Sequence, residues 1–209
     1  MKRRAKMACR SATYSNKNGV RSVIYKHDDG RTIVHEGGSK SWRNNNPGNL
    51  KGVRSKRVGA DAGGFDIYPD LQTGEEAWRR MFEPGGKYYK YDSIRHVLGG
   101  QKDKNGKPIK GTAYAPANDS NFPDRYADNI REWANIDVDK KKIADLTPEE
   151  KDRLLDAMKR KEGWGVGKVT EYDKNDKLIE KPAQFVPGSR GIEELEEDDY
   201  DDWGYTMSP

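Results

Sequence analysis

The sequence has little of several residue types that common functions require. Among 209 residues it contains one cysteine and three histidines. The single Cys9 excludes an internal disulfide and a metal site built from several cysteines. His27, His35 and His96 lie far apart without the spacing of a zinc-binding pair, so the sequence predicts neither a metal nor another cofactor.

Apolar residues are also scarce. Hydrophobic residues make up 33% of the chain and charged residues 35%, and the mean hydropathy is −1.13. This composition predicts a small core with disordered ends. No apolar run approaches the roughly 18 residues of a membrane span. The basic N-terminus lacks the apolar stretch of a signal peptide.

Phosphate-binding and nucleophilic motifs are missing as well. The sequence has no G-x-G-x-x-G, and the G-G-K at 85–87 lacks the frame of a P-loop. No serine or cysteine is accompanied by a histidine in a pattern that indicates nucleophilic catalysis. Nucleotide chemistry and acyl transfer are therefore not indicated.

The net charge of +4 conceals two opposite halves. Residues 1–57 carry fifteen Lys and Arg against three Asp and Glu, whereas residues 170–209 carry four against twelve. A basic segment suits nucleic acid, but it also suits the anionic polymers and peptide carboxylates of a cell wall. Charge alone leaves both partners open.

Local patterns predict an α+β domain over residues 19–188, a basic flexible tail over 1–18 and an acidic flexible tail over 189–209. Strands are expected as a hairpin over 20–38, a short segment at 65–68 and a second hairpin over 165–185. Helices are expected at 74–82, 93–98, 124–134 and 147–162. The last helix has the clearest start, because Thr147, Pro148 and Glu150 form a capping box with proline at the first position.

The most distinctive stretch is S-W-R-N-N-N-P-G-N-L-K-G at 41–52. Asparagine tolerates left-handed backbone, and Pro47 and Gly48 favour turns, so a rigid polar turn is predicted. Trp42 and Leu50 are expected to anchor it in the core. Each amide offers a donor and an acceptor, which suits the hydroxyl and acetamido groups of a sugar chain.

This stretch resembles the N-N-N-P-G-N-[IL] signature of phage virion proteins and secreted bacterial effectors with lysozyme-like domains that cleave peptidoglycan. Further segments follow in the family's order: G-F-D-I-Y at 64–68, Gly74, Y-A-P-A-N-D at 114–119 and Tyr126. A more distant similarity, to bacterial glucosaminidases, includes P-D-R-Y-A at 123–127. The resemblance covers roughly residues 41–165. It implies a lysozyme-like fold and peptidoglycan glycan strands as the partner.

Glu162 breaks the pattern of its helix. It lies four and seven residues after Met158 and Leu155, so it extends the apolar stripe. It also lies in the last turn, where the helix dipole disfavours a carboxylate. A carboxyl that retains its proton near neutral pH is what a general acid for glycosidic cleavage requires.

Glu162-Gly163-Trp164-Gly165 also resembles the E-S-G-W-G of the glucosaminidases, although their glutamate precedes the asparagine segment. We infer a circularly permuted lysozyme-like domain in which the last helix supplies the acid. The rival catalytic residue is Glu36, whose linear position matches those enzymes better but which ends a strand. Glu36, Asp61 and Asp66 are alternative second carboxylates.

The residues expected to bind the glycan are drawn from the signature turn and from the segments that follow it. They are Asn44, Asn45, Asn46, Asn49, Tyr114, Asn118 and Tyr126. The resemblance further implies delivery by a phage or a secretion system to the periplasm or cell wall, with a virion or secretion component or an inhibitor protein as a further partner. Hydrolysis and lytic transglycosylation both remain open.

Three other functions remain open. A non-catalytic wall-binding or virion structural module would use the asparagine turn without needing Glu162. A nucleic-acid-binding protein would use the basic half, although its aromatic residues are not interleaved with the N-terminal basic run. A secreted toxin with an unrelated target is the third.

Overall fold

The computed structural model describes residues 8–53, 55–100, 103–107, 109, 112–115 and 122–179, which belong to one compact unit. Strands in this part are β1 (Cys9–Lys17), β2 (Val20–His27), β3 (Thr32–Glu36), β4 (Gly59–Ala60), β5 (Asp66–Ile67) and β6 (Lys168–Tyr172). Helices are α1 (Lys40–Arg43), α2 (Leu71–Arg79), α3 (Ile94–Gly99), α4 (Pro123–Ala134) and α5 (Pro148–Lys161). Short 3-10 helices span Arg80–Phe82 and Ile143–Asp145. The protein is therefore of the α+β class, as predicted.

The main sheet has four antiparallel strands in the order β1-β2-β3-β6. The β2–β3 hairpin was predicted, with its turn after His27. The expectation of a flexible tail over residues 1–18 is wrong for Cys9–Lys17, which pair with β2 along their length. The pattern of apolar residues does not indicate this edge strand, because Ala12 is its one buried residue. Backbone hydrogen bonds to β2 hold the strand in place.

The second predicted hairpin has a longer-range role. Its first strand, β6, pairs with β3, so that Val34 lies opposite Thr170 and Glu36 opposite Lys168. Its return consists of a single bridge between Tyr172 and Leu178. The predicted remainder up to residue 185 and the predicted acidic tail over 189–209 lie outside the described residues. The pairing of β6 brings the chain that follows α5 onto the sheet.

The helices enclose the larger of two hydrophobic clusters. Large buried side chains of this cluster from α2 through α5 and from the segment after β5 include Tyr68, Trp78, Leu98, Ile130, Leu154 and Met158. A smaller cluster beneath the sheet joins Val23, Tyr25 and Ile67. No helix in the described ranges has the length and apolar character needed to cross a membrane.

Local caps fix where the helices begin. Ser93 accepts a hydrogen bond from the His96 amide at the start of α3. At α5, the Thr147 hydroxyl accepts from the Glu150 amide and the Glu150 carboxylate accepts from the Thr147 amide, which is the predicted capping box. These starts were predictable because each depends on residues three apart in sequence.

Helix α2 packs against the asparagine turn through a glycine. A Cβ on Gly74 would overlap the carbonyl oxygen of Asn45, so the helix and the turn approach more closely than any other residue allows. A Cβ on Gly48 would likewise overlap the Trp78 ring of the same helix. The turn is thereby fixed on the helical core.

Candidate active site

The asparagine turn begins where α1 ends, and its most buried amide belongs to Asn46. This side chain donates to the carbonyl oxygens of Leu50 (2.9 Å) and Asp66 (2.8 Å). Its oxygen accepts from the Leu50 amide at 2.8 Å. Asn46 is 0% exposed, so its amide closes the turn from within and does not face a sugar chain.

Asn44 and Asn45 are also buried and bonded within the protein. The Asn45 amide donates to the Tyr68 carbonyl at 3.2 Å, and the Asn44 amide donates to the Asp61 carboxylate at 2.9 Å. The expectation that these three asparagines present their amides to substrate is therefore not met in this structure. Their hydrogen bonds instead tie the turn to β5 and to the loop before it.

Asn49 differs from the other three because its side chain points to Glu162. Its backbone is left-handed, with φ of 46°, and its Nδ2 donates to Glu162 Oε2 at 2.8 Å. Trp42 and Leu50 are buried on either side, as predicted for the anchors of the turn. The turn therefore delivers one amide to the candidate acid.

Glu162 directly follows α5 and caps its C-terminal end. Its backbone amide still donates to the Met158 carbonyl at 2.9 Å, and Gly163 follows with φ of 66°. Leu155 and Met158 are buried on the same stripe, as the spacing predicted. The side chain is half-buried, so its carboxyl is enclosed by protein while part of the residue remains accessible.

The second carboxyl oxygen of Glu162 is held by α4. Tyr126 projects from this helix and its hydroxyl donates to Oε1 at 2.9 Å. Tyr114 packs edge-on against Tyr126, with ring centroids 6.5 Å apart, and its own hydroxyl donates to the Gly48 carbonyl at 2.8 Å. Both tyrosines thus lie at the site. The Tyr126 hydroxyl contacts the Glu162 carboxyl, and the Tyr114 hydroxyl bonds to the asparagine turn.

Burial raises the pKa of the Glu162 carboxyl. The hydrogen bonds from Asn49 and Tyr126 oppose this rise, as do the positive charges of Lys40 and Lys161. Burial, followed by the charge of Glu162, raises the pKa of Tyr126 well above its usual value. Tyr126 therefore remains a neutral phenol that donates to the carboxyl.

Lys40 is the feature of this site that sequence reasoning missed. It follows Ser39, whose hydroxyl caps α1 and accepts from the Gly165 amide at 3.1 Å. The Ser39 amide donates to the Gly165 carbonyl at 2.9 Å. These bonds hold the start of α1 against the chain just after Glu162, which no local pattern in the sequence indicated.

The rival residue Glu36 occupies the end of β3, opposite Lys168 of β6 and Ser22 of β2. Within the described ranges its carboxylate makes no hydrogen bond or ion pair, and nothing joins it to Glu162. The structure therefore gathers the asparagine turn and the tyrosines around Glu162 and not around Glu36.

The two aspartates considered as second carboxylates have different environments. Asp66 is 0% exposed and forms an ion pair with Arg57 (2.8 Å) and a hydrogen bond with the Val53 amide (2.8 Å). Asp61 is half-buried, accepts from the amides of Gly63 and Phe65, and acts electrostatically on Lys40. Of the two aspartates, Asp61 is thus the one whose charge acts on Lys40, as the charge of Glu162 does.

Two remaining expectations concern residues and ligands beyond these contacts. Asn118 lies outside the described residues. In the described part of the chain, no group of three His, Cys, Asp or Glu side chains gathers so as to hold a metal ion.

Comparison with protein-family models, with curated proteins and with solved structures finds no match for this chain.

Proposed function

We propose that this protein cleaves the glycan strands of peptidoglycan, with Glu162 as the general acid and a circularly permuted lysozyme-like arrangement of its elements. The observation that carries the proposal is the environment of the Glu162 carboxyl. Glu162 is half-buried, its pKa is raised, and both of its oxygens are held by neutral donors from two separate segments. Burial lets this carboxyl retain its proton to higher pH, and the two donors keep it in a fixed direction.

The proposed reaction begins with transfer of the Glu162 proton to the glycosidic oxygen. The bond between this oxygen and the anomeric carbon breaks, the electron pair stays on the leaving sugar, and positive charge develops on the ring. The carboxylate left on Glu162 is then stabilised by Asn49, Tyr126 and Lys40, all of which favour its charged form. These interactions strengthen as the acid ionises, so they favour the transition state over the ground state.

Two products are possible, and they differ in the nucleophile that attacks the sugar cation. Water yields a reducing end by hydrolysis, whereas attack by the sugar's own 6-hydroxyl yields an anhydro product. Asp61 is the candidate to direct a water, because it is half-buried beside Lys40. The second route needs one carboxyl only and is equally open to this site.

The motif resemblance supports a peptidoglycan substrate over other glycans. The turn, the G-F-D-I-Y segment and the two tyrosines occur in the order found in the phage and effector family. Asn49 and Tyr126 donate to Glu162, and Tyr114 packs against Tyr126. The proposed place of action is the periplasm or cell wall, reached through a phage or a secretion system. A virion or secretion component, or an inhibitor protein, is the proposed protein partner.

The test is incubation of the purified protein with sacculi, followed by mass analysis of the soluble fragments. We expect disaccharide-based fragments with intact peptides, ending in either a reducing or an anhydro sugar. Release of peptides alone would contradict glycan cleavage. Binding to sacculi without any release would favour the wall-binding module.

A further inference from the structure

Two lysines converge on one phenyl ring close to Glu162. The Nζ of Lys40 lies 3.4 Å from the centroid of the Phe65 ring, and the Nζ of Lys51 lies 4.1 Å from it. Cations are attracted to the faces of aromatic rings at such distances. Both ammonium groups therefore contact the Phe65 ring.

The backbone fixes this cluster beside the acid from two directions. Lys40 begins α1, whose cap Ser39 is bonded to Gly165, three residues after Glu162. Lys51 comes two residues after Asn49, the residue that donates to Glu162, and its backbone forms a bridge with Phe65. Both lysines thus belong to the segments that build the site.

The lysines of the cluster are not paired by contact with a carboxylate within the described part of the chain, although the charges of Asp61 and Glu162 act on Lys40. Neither Lys40 nor Lys51 forms an ion pair or a side-chain hydrogen bond there. The oxygens of the neighbouring Asp61 accept instead from Asn44 and from the amides of Gly63 and Phe65.

The environment of Lys40 has an energetic consequence. Burial lowers the pKa of Lys40; the charges of Asp61 and Glu162 oppose this effect, and those of Lys51 and Arg43 add to it. A partly buried ammonium beside a second one is destabilised, and an incoming anion relieves both the desolvation and the repulsion. The cluster therefore favours a ligand that carries negative charge.

We propose that Lys40, Lys51 and Phe65 form a subsite for a carboxylate carried by the glycan strand, adjacent to the bond that Glu162 protonates. The inference builds on the proposed function and adds a requirement for an acidic substrate. Two sources share this chemistry: the free carboxylates of an attached peptide, and the lactyl ether carboxylate of a sugar from which the peptide has been removed, since the lactyl carboxyl is an amide while the peptide is attached.

The test measures binding of soluble glycan fragments to the full chain carrying Glu162→Gln, so that turnover does not interfere. Three preparations are compared: fragments with their peptides, fragments from which an amidase has removed the peptides, and fragments whose carboxyls have been converted to amides. We expect conversion to amides to weaken binding about tenfold or more, since contacts to charged groups are the stronger hydrogen bonds. Tight binding of peptide-bearing fragments that is lost on peptide removal assigns the carboxylate to the peptide, whereas tight binding that appears only after the amidase has freed the lactyl carboxyl assigns it to the lactyl ether.

Lys51→Gln tests whether the cluster binds the carboxylate. Because Lys51 is exposed, its replacement leaves the core intact. On the same background it should weaken binding of carboxylate-bearing fragments about tenfold and leave that of amidated fragments unchanged, whereas Lys51→Arg should retain most of the affinity. The matched control is Lys87→Gln, at a lysine that lies 4.9 Å from the Tyr88 ring centroid and takes no part in the contacts of Glu162. This control should bind as the parent does.

The outcomes separate the subsite from the catalytic proposal. Equal affinity for carboxylate and amide fragments, or an equal effect of Lys51→Gln and Lys87→Gln, would overturn the subsite even if the wild type digests sacculi. Carboxylate-dependent binding that requires Lys51 would uphold it even if the wild type releases no fragment, in which case glycan cleavage fails alone.

Discussion

Tyr126→Phe removes one of the two neutral donors to the candidate acid and leaves the aromatic ring in place. The lost contact is the 2.9 Å hydrogen bond from the hydroxyl to Glu162 Oε1, which favours the ionised carboxylate. Hydrogen bonds to charged groups contribute about 1.5–3 kcal/mol, and one pKa unit corresponds to about 1.4 kcal/mol. Because the side chain is partly exposed and keeps Asn49, we expect the lower end, a rise of about one unit in the pKa of Glu162.

A general acid acts in its protonated form, so its rate falls as pH rises through its pKa. The alkaline limb of the pH–rate profile for sacculus digestion should therefore move to higher pH by about one unit in Tyr126→Phe. The control is Tyr91→Phe, which loses a 2.7 Å hydrogen bond from its hydroxyl to the Thr112 carbonyl and makes no contact with Glu162. A limb that stays in place, moves to lower pH, or moves equally in the control would refute the assignment of Tyr126.

Three further predictions concern stability. Removal of residues 1–17 deletes β1 and its pairing with β2. Because each lost hydrogen bond contributes about 1 kcal/mol, the truncation should lower Tm by about 10 °C or more. An unchanged Tm would show that this strand adds nothing to stability. Gly74→Ala should destabilise the protein by about 1–3 kcal/mol in chemical unfolding, because its Cβ overlaps the Asn45 carbonyl, whereas the stabilisation that alanine usually gives a helix would contradict the close packing. Glu162 has a raised pKa, so its contribution to stability is fully present below its unfolded pKa of about 4.3 and declines as pH rises through the folded value. The unfolding free energy of Glu162→Gln relative to wild type should therefore increase with pH across that window, and a difference independent of pH would contradict the raised pKa.

Those parts of the fold that depend on short-range patterns were predictable from sequence. The capping box at Thr147 and Glu150 fixed the start of α5, and the spacing of Leu155, Met158 and Glu162 placed the carboxyl on the buried stripe. The hairpin of β2 and β3 followed from apolar segments around a turn. In each case neighbouring residues alone determine the outcome.

Features that depend on distant partners were not predictable. Strand β1 has a single buried residue, Ala12, and exists because β2 offers it backbone groups. Composition identified a polar asparagine turn, but the direction of each amide depends on partners that the fold supplies, such as the Asp66 carbonyl for Asn46. Lys40 entered the site through the bonds between Ser39 and Gly165, which are 126 positions apart.

The role of Glu162 as the general acid is tested most directly by comparing initial rates of sacculus digestion by the wild type, Glu162→Gln and Glu36→Gln. Glutamine keeps the size of the side chain and can mimic the protonated carboxyl toward Asn49 and Tyr126, but it has no proton to transfer. General acid catalysis contributes about 10²–10⁴-fold, so Glu162→Gln should lose at least that factor while Glu36→Gln retains most of its rate. Digestion by Glu162→Gln at the wild-type rate would contradict acid catalysis by Glu162. A loss of rate confined to Glu36→Gln would assign the role of acid to Glu36.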